Sequence, residues 1–327
     1  MSNSDQNLVK QIVSKVNAEV GKSIYGNEEI TSLLAGAFLI GGHVLLEGPP
    51  GVAKTLIAKC FAKSLALDFN RVQFTPDLMP SDVTGINIFD QASSSFRFAP
   101  GPIFADIVLA DEINRTPPKT QSALLEAMQE RFVTIDGKRH SLGTMFFVIA
   151  TQNPVEHEGT FPLPEAQLDR FLFKLNIGYP DKQAECSMIQ RFSSEMPEAM
   201  TEVEQVVDSG VVTHEMLDQG RQQLRRIAMD SSIATYIHDI VDRTRNHSQL
   251  ILGASPRAAL NLALAGKFRA AMEDRSYVIP DDVKRMASHV LAHRIIFEPG
   301  VFDAEASAEK IIQNVLSEIT VPDGPAA

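Results

Sequence analysis

The sequence predicts an α/β domain, a parallel sheet between helices, followed by an all-α domain. Three observations carry this expectation. Five short apolar runs are separated by helical segments, two inserted segments carry the alternation and turn residues of β-hairpins, and after Pro180 the periodicity is helical only. The 327 residues suit two domains better than one, and 44% hydrophobic residues can bury a full core.

The elements follow in order. Leu8, Val9, Ile12, Val13 and Val16 recur at helical spacing behind Asn3, Ser4 and Asp5, so an amphipathic helix opens the chain. A second helix runs from about Asn27 into Leu39. The β-favouring runs are His43–Glu47, Phe69–Phe74, Ala105–Asp111, Met145–Thr151 and Phe171–Ile177. Ile86–Ile103 alternates apolar and polar residues around a serine-rich tip. Phe132–Leu142 carries Asp136-Gly137, a pair that supplies the positive φ angles of a tight hairpin turn. Residues 193–205 are acidic and weakly patterned, as a linker or a helix-to-helix crossing would be. Helical segments then fall near 213–227, 231–246, 256–274, 280–293 and 303–318, and the tail Val321–Ala327 is expected to fray. The expected domains are a core at 1–192, a linker region at 193–212 and an all-α domain at 213–327.

Composition narrows the function. Thirty Lys plus Arg against 41 Asp plus Glu give a net charge of −11, which argues against an obligate nucleic-acid binder with a strong basic face. Two cysteines, Cys60 and Cys186, make neither a disulfide framework nor a zinc site, and a reducing, cytoplasmic setting fits. The N-terminal segment lacks the apolar core of a secretory signal. The longest uncharged stretch, Ile30–Leu46, is too short for a membrane span and is broken by Gly41, Gly42 and His43. His43, His140 and His157 show no metal-ligand spacing and read as structural or solvated, while Met196 and Met200 read as packing residues.

The sharpest chemical feature is Gly48-Pro49-Pro50-Gly51-Val52-Ala53-Lys54-Thr55, between the first apolar run and a helical pattern. Small residues there let backbone N–H groups close around phosphate oxygens, and the following helix adds its positive dipole end. Lys54 is placed to reach β- and γ-phosphates and Thr55 to set its hydroxyl on Mg2+. Ala53 stands where the common phosphate-loop pattern has its last glycine, which is tolerable if that position has an ordinary φ. A plain turn between strand and helix is the competing reading. Asp111-Glu112 weighs against it, because paired carboxylates that end an apolar strand beside a phosphate loop face a metal and a water. Asp111 suits hydrated Mg2+, and Glu112 suits polarising an attacking water.

Three further residues fit the same chemistry. Asn153 follows an apolar strand and can orient the water, although asparagine before Pro154 is also an ordinary turn residue. Arg170 sits between a helix and a buried strand, and spacing does not decide between a role in the site and a salt bridge with Glu165 or Asp169. Arg257 follows Ser255, which reads as an N-cap, and Pro256. A cation in that first turn opposes the helix dipole, which suggests an anionic partner or a solvated side chain.

Gly48–Thr55, Thr75–Gly85, Ala110–Glu130, Ala150–Phe171 and Gly253–Leu260 together resemble the AAA+ ATPases, and more narrowly the MoxR family, over nearly the whole chain. Alanine before the lysine is itself a mark of that group. The resemblance implies a P-loop AAA+ core with an all-α lid, ATP and Mg2+ as ligands, and hydrolysis of ATP. It implies Gly48–Thr55 as Walker A, Asp111 and Glu112 as Walker B, Asn153 as sensor 1, Arg170 as an arginine finger and Arg257 as sensor 2. Ile24 and Tyr25 fall where the family packs adenine. The two hairpins correspond to inserts that the family directs toward a ring's central opening. The resemblance further implies a ring hexamer, a chaperone-like remodelling role and a partner with a von Willebrand factor A domain. The alternative is a nucleic-acid motor or transcription activator on the same core. The acidic charge, the absence of a recognisable DNA-binding appendage and the lack of a GAFTGA-type loop weigh against it.

Overall fold

The computed structural model describes residues 7–92, 94–154, 159–194, 206–298 and 307–322. His157, Met196, Met200, the acidic segment 195–205 and the tail beyond Pro322 lie outside the described residues.

Helix α1 (Leu8–Val20) is capped by Asn7, whose side chain accepts from Lys10 N, and it buries Val9, Ile12, Val13 and Val16 as the periodicity requires. Helix α2 (Glu28–Ile40) stops at Gly41, which takes the left-handed conformation, and leads into β1 (Val44–Glu47). There follow α3 (Lys54–Ser64), β2 (Phe69–Gln73), α4 (Pro80–Thr84), the hairpin β3 (Gly85–Asp90) and β4 (Ser95–Pro100), β5 (Ile107–Asp111) and α5 (Pro118–Glu130). The second hairpin, β6 (Phe132–Ile135) and β7 (Lys138–Ser141), precedes β8 (Phe147–Gln152), α6 (Glu165–Leu168), β9 (Phe173–Asn176) and α7 (Lys182–Ser194).

The five apolar runs form one parallel sheet in the order β2-β5-β8-β1-β9. Three of them begin two residues later than predicted, because Ala105, Asp106, Phe146 and Leu172 lie in the turns that feed the sheet. Side chains alternate across it. Val44, Leu46, Leu109, Ile149 and Leu175 join the core under α1, α2 and α3, while Leu45, Val108, Ala110 and Val148 pack with Leu124, Leu125 and Met128 of α5. Both hairpins form as predicted, with φ of 47° at Asp136 and 78° at Gly137. Asn87 donates to Asp136 (2.7 Å), tying one hairpin to the other.

The helical segments appear as α8 (His214–Arg226), α9 (Ser231–Arg245), α10 (Pro256–Met272), α11 (Pro280–Leu291) and α12 (Ala308–Glu318). Side-chain caps from Thr213, Asp230, Ser255 and Ser307 start four of them. The expectation that strands end at Pro180 needs correction. Leu250–Leu252 (β10) and Ile296–Phe297 (β11) pair antiparallel between the helices. Two- and three-residue strands are too short to display a period, so the sequence carried no signal for them. The apolar core is continuous from the α1–α3 face of the sheet into these helices.

Candidate functional site

The glycine-rich loop leaves the carboxyl end of β1. From there α3 carries the chain to β2 at one edge of the sheet, whereas the connection after β8 passes over β1 to β9 at the other edge. The crevice between β1 and β8 is therefore a topological switch point, where open α/β sheets bind ligands. Gly48 is required by close approach: a Cβ there would lie 2.3 Å from Ile177 O. Gly51 turns with φ of 84°. Ala53 corrects the expectation of ordinary backbone, because its φ of 61° and ψ of 23° are left-handed. For an L-residue this conformation costs about 1–2 kcal/mol, and local strain of this kind concentrates at ligand sites. Pro49 and Pro50 stiffen the loop, Val52 anchors it in the core, and Lys54 Nζ donates to the carbonyls of Gly48 and Pro49.

Asp111 ends β5 and is 5% exposed. Its Oδ2 accepts from Thr55 Oγ1 (3.1 Å) and from Arg71 Nε (2.9 Å), and its Oδ1 accepts from Thr151 Oγ1 (2.6 Å). The fold thus brings Thr55 and Asp111 together across 56 positions. Glu112 adopts a left-handed φ of 57°, which turns its carboxylate out of the strand. Its N–H donates to Thr151 Oγ1 (2.8 Å), and its carboxylate accepts from Gln73 (2.9 Å) and Arg115 (3.0 Å). Asn153, buried at the tip of β8, borders the same crevice, since Gln152 O accepts from Gly48 N (3.3 Å).

Thr55 and the buried Asp111 offer hard oxygen donors side by side. That donor set fits a magnesium ion completed by phosphate and water, and Mg2+ takes few protein ligands in such sites. Among the described residues no cluster of three or more His, Cys, Asp or Glu side chains could hold a metal by itself.

Arg170 and Arg257 lie elsewhere. They line a small cleft of about 220 Å3 with Gly41, His43 and Leu172, at the amino end of β1 and β9. The strand β1 separates this cleft from the phosphate loop, about 13 Å at 3.3 Å per residue. Arg170 makes neither predicted local salt bridge. Its NH1 donates to Leu125 O (2.8 Å), and its Nε is buried without a partner. Arg257 stands in the first turn of α10 behind the Ser255 cap, as predicted, 3.7 Å from Asp169.

Asp169 was missed as a site residue. It accepts from Ser255 Oγ (2.8 Å) and lies 3.5 Å from the guanidinium of the buried Arg294. It therefore joins the segment bearing Arg170 to the helix bearing Arg257. Burial lowers Arg294 to about 10, opposed by the Asp169 charge, so it stays cationic at neutral pH. Arg71, Gln73, Arg115 and Thr151 were also missed. Arg71 reaches Asp111 because it stands two residues before Gln73, the register partner of Asp111, on the same face of the sheet, and no local sequence pattern encodes that register.

Ile24 is buried in the core with Val52 and Ile177, and Gly26, after Tyr25, packs against Ala184 of α7. His43 is structural, as expected: its ring bonds Met128 O (3.1 Å) and accepts from Val148 N (3.0 Å). His140 stacks on Phe98 at 4.0 Å.

A phosphate loop at the switch point, paired acidic residues on the neighbouring strand and a helical domain define a P-loop nucleotide-binding protein of the AAA+ class. Comparison with known proteins agrees. Residues 43–173 match the profile of the ATPase family associated with various cellular activities (AAA), and residues 242–315 match the AAA lid domain. The chain is 41% identical to Chaperone MoxR1 of Mycobacterium tuberculosis, over 93% of this chain and 81% of that one. It is 45% identical to the uncharacterised protein YeaC of Bacillus subtilis, over 95% of each. A crystal structure of a candidate ATPase from Cytophaga hutchinsonii superposes with a TM-score of 0.86 at 40% identity, over 96% of each chain. The chain belongs to the MoxR family of AAA+ ATPases.

Proposed function

We propose that this protein is a Mg2+-dependent ATPase of the cytoplasm that acts as a chaperone, remodelling or activating partner protein complexes as a ring hexamer. The observation that carries the ATPase reading is the contact between Thr55 and the buried Asp111 beneath the phosphate loop. Domain bounds of 1–192 for the core, 193–212 for the linker and 213–327 for the lid suit it, and Ile24 and Tyr25 are assigned to the adenine.

Loop N–H groups and Lys54 bind the phosphates of ATP. Thr55 and Asp111 are the residues to hold magnesium, which supplies charge neutralisation at the β- and γ-phosphates. Glu112 and Asn153 orient the attacking water. Charge that spreads over the γ-phosphoryl oxygens is met by Lys54 and by cations brought from outside the protomer. Arg170 and Arg257 are a strand's length from their own phosphate loop and close to each other, which supports both acting on the nucleotide of an adjacent subunit. A site completed in trans requires an oligomer, and a closed ring gives every protomer a donor.

The chaperone role rests on the named relative and the family, as does a partner with a von Willebrand factor A domain. Exposed Ile86, Ile88, Phe89 and Phe96 on the first hairpin offer apolar contact to a protein client. Among the described residues no helix is long and apolar enough to cross a membrane.

Calorimetry with ATP and Mg2+ tests the reading. Nucleotide uptake should be lost in Lys54→Ala, retained without turnover in Glu112→Gln, and retained with turnover reduced about 10³-fold or more in Arg170→Ala. Absence of adenine nucleotide binding to the folded chain would sink it.

A further inference from the structure

A cavity of about 880 Å3 lies away from the phosphate loop. It lies at the end of α2, and its wall carries Arg131, Arg139, Arg221, Arg225 and Lys267 against one carboxylate, Glu130. In a chain of net charge −11 this concentration of cations is out of keeping with the surface as a whole.

Two of the arginines are fixed. Arg131 donates to Gly41 O (2.8 Å) and Thr144 O (3.2 Å), and Arg221 donates to Phe38 O (3.2 Å) and the same Thr144 O (3.1 Å). The Arg221 guanidinium also lies over the Phe38 ring, 4.9 Å from its centroid. Bonds to Phe38 O and Gly41 O cap the C-terminal end of α2, a sound structural use of a cation. Capping does not account for two guanidiniums sharing one acceptor, for the buried and unpartnered Arg221 Nε, or for three further cations around them. Burial draws both guanidiniums below their ordinary pKa, and Arg131 and Arg225 act on Arg221 in the same direction with only Asp218 opposing. Like charges held together in a partly desolvated wall are costly unless an anion joins them.

We propose that this cavity is a receptor for a phosphorylated small molecule, separate from the ATP site. Guanidinium forks with fixed geometry suit phosphate oxygens better than a single carboxylate. Leu39, Leu224 and Leu264 line the remaining space, so the ligand carries an organic portion beside its phosphate. The inference does not depend on ATP hydrolysis.

The test is calorimetric titration of inorganic pyrophosphate into the full chain carrying Lys54→Ala, which silences the phosphate loop. Saturable binding is expected. Adding Arg221→Gln should weaken it about tenfold or more. Because Arg221 is part of the packing, the double change Arg225→Gln and Lys267→Gln provides a second variant that spares the helix cap and should also weaken binding. Arg257→Gln should leave it unchanged. The proposal is overturned if pyrophosphate does not bind, if Arg225→Gln with Lys267→Gln leaves affinity intact, or if Arg257→Gln abolishes binding and so moves the anion to the neighbouring cleft. Citrate binding as tightly as pyrophosphate would overturn the phosphate assignment. Binding confined to a monomeric form and absent from the assembled one would make a second copy of the chain the occupant, and would equally overturn it.

Discussion

Ala53 and Asp169 show how single residues set this site. Ala53 holds a left-handed φ of 61° one residue before Lys54. Glycine takes that conformation without a Cβ penalty, so Ala53→Gly is expected to stabilise the chain by about 1 kcal/mol in urea unfolding while nucleotide affinity is kept. A loss of stability would show that the alanine methyl contributes packing that outweighs the strain. Asp169 touches Ser255 and lies beside Arg257 and Arg294. As a positioning residue it should act on turnover. Asp169→Asn is expected to lower kcat about tenfold or more with ATP affinity unchanged, and Asp169→Glu to restore part of it. Equal losses of ATP affinity and thermal stability would mark a purely structural role. Lys54, Thr55, Asp111 and Glu112 were legible because each stands beside a strand end that its own local sequence declares. Arg71 and Asp169 were not, because their partners are set by strand register and by docking of α10, which no local pattern encodes.

At the scale of elements, β1, α5 and β8 meet at His43, whose ring spans Met128 O and Val148 N. Burial lowers its pKa to about 4, and burial holds His293 well below its ordinary value too. In the unfolded chain both titrate near 6.5. Between pH 6.5 and 4 the unfolded state therefore binds more protons, and stability falls as pH drops through that window. His43 alone contributes about 3 kcal/mol of that loss. Urea midpoints measured from pH 7 to 4 should fall accordingly, and His43→Gln should show a shallower slope over the same range. An unchanged slope would contradict a buried neutral imidazole. Element boundaries were largely legible, since capping residues such as Thr213, Asp230 and Ser255 and the pair Asp136-Gly137 announce where helices and turns begin. The β10–β11 ribbon was not, because its short strands are defined only by pairing across 47 positions, Leu250 with Phe297.

For the whole molecule, the separation of Arg170 and Arg257 from the phosphate loop is the feature with the widest consequence. The phosphate loop stands at the carboxyl end of β1, and Arg170 and Arg257 line a cleft at its amino end, so under the proposed function a complete site would need two copies. The sequence singled out both sets of residues as candidates but could not place them at opposite ends of the sheet. Mixing variants tests this claim most directly. Arg170→Ala keeps an intact phosphate loop, and Lys54→Ala keeps an intact finger, so each alone should be nearly inactive. Combined in equal amounts and allowed to reassemble, they are expected to recover ATPase activity, because a Lys54→Ala subunit supplies Arg170 to its neighbour. A mixture confirmed to co-assemble that stays as inactive as its components would contradict the account.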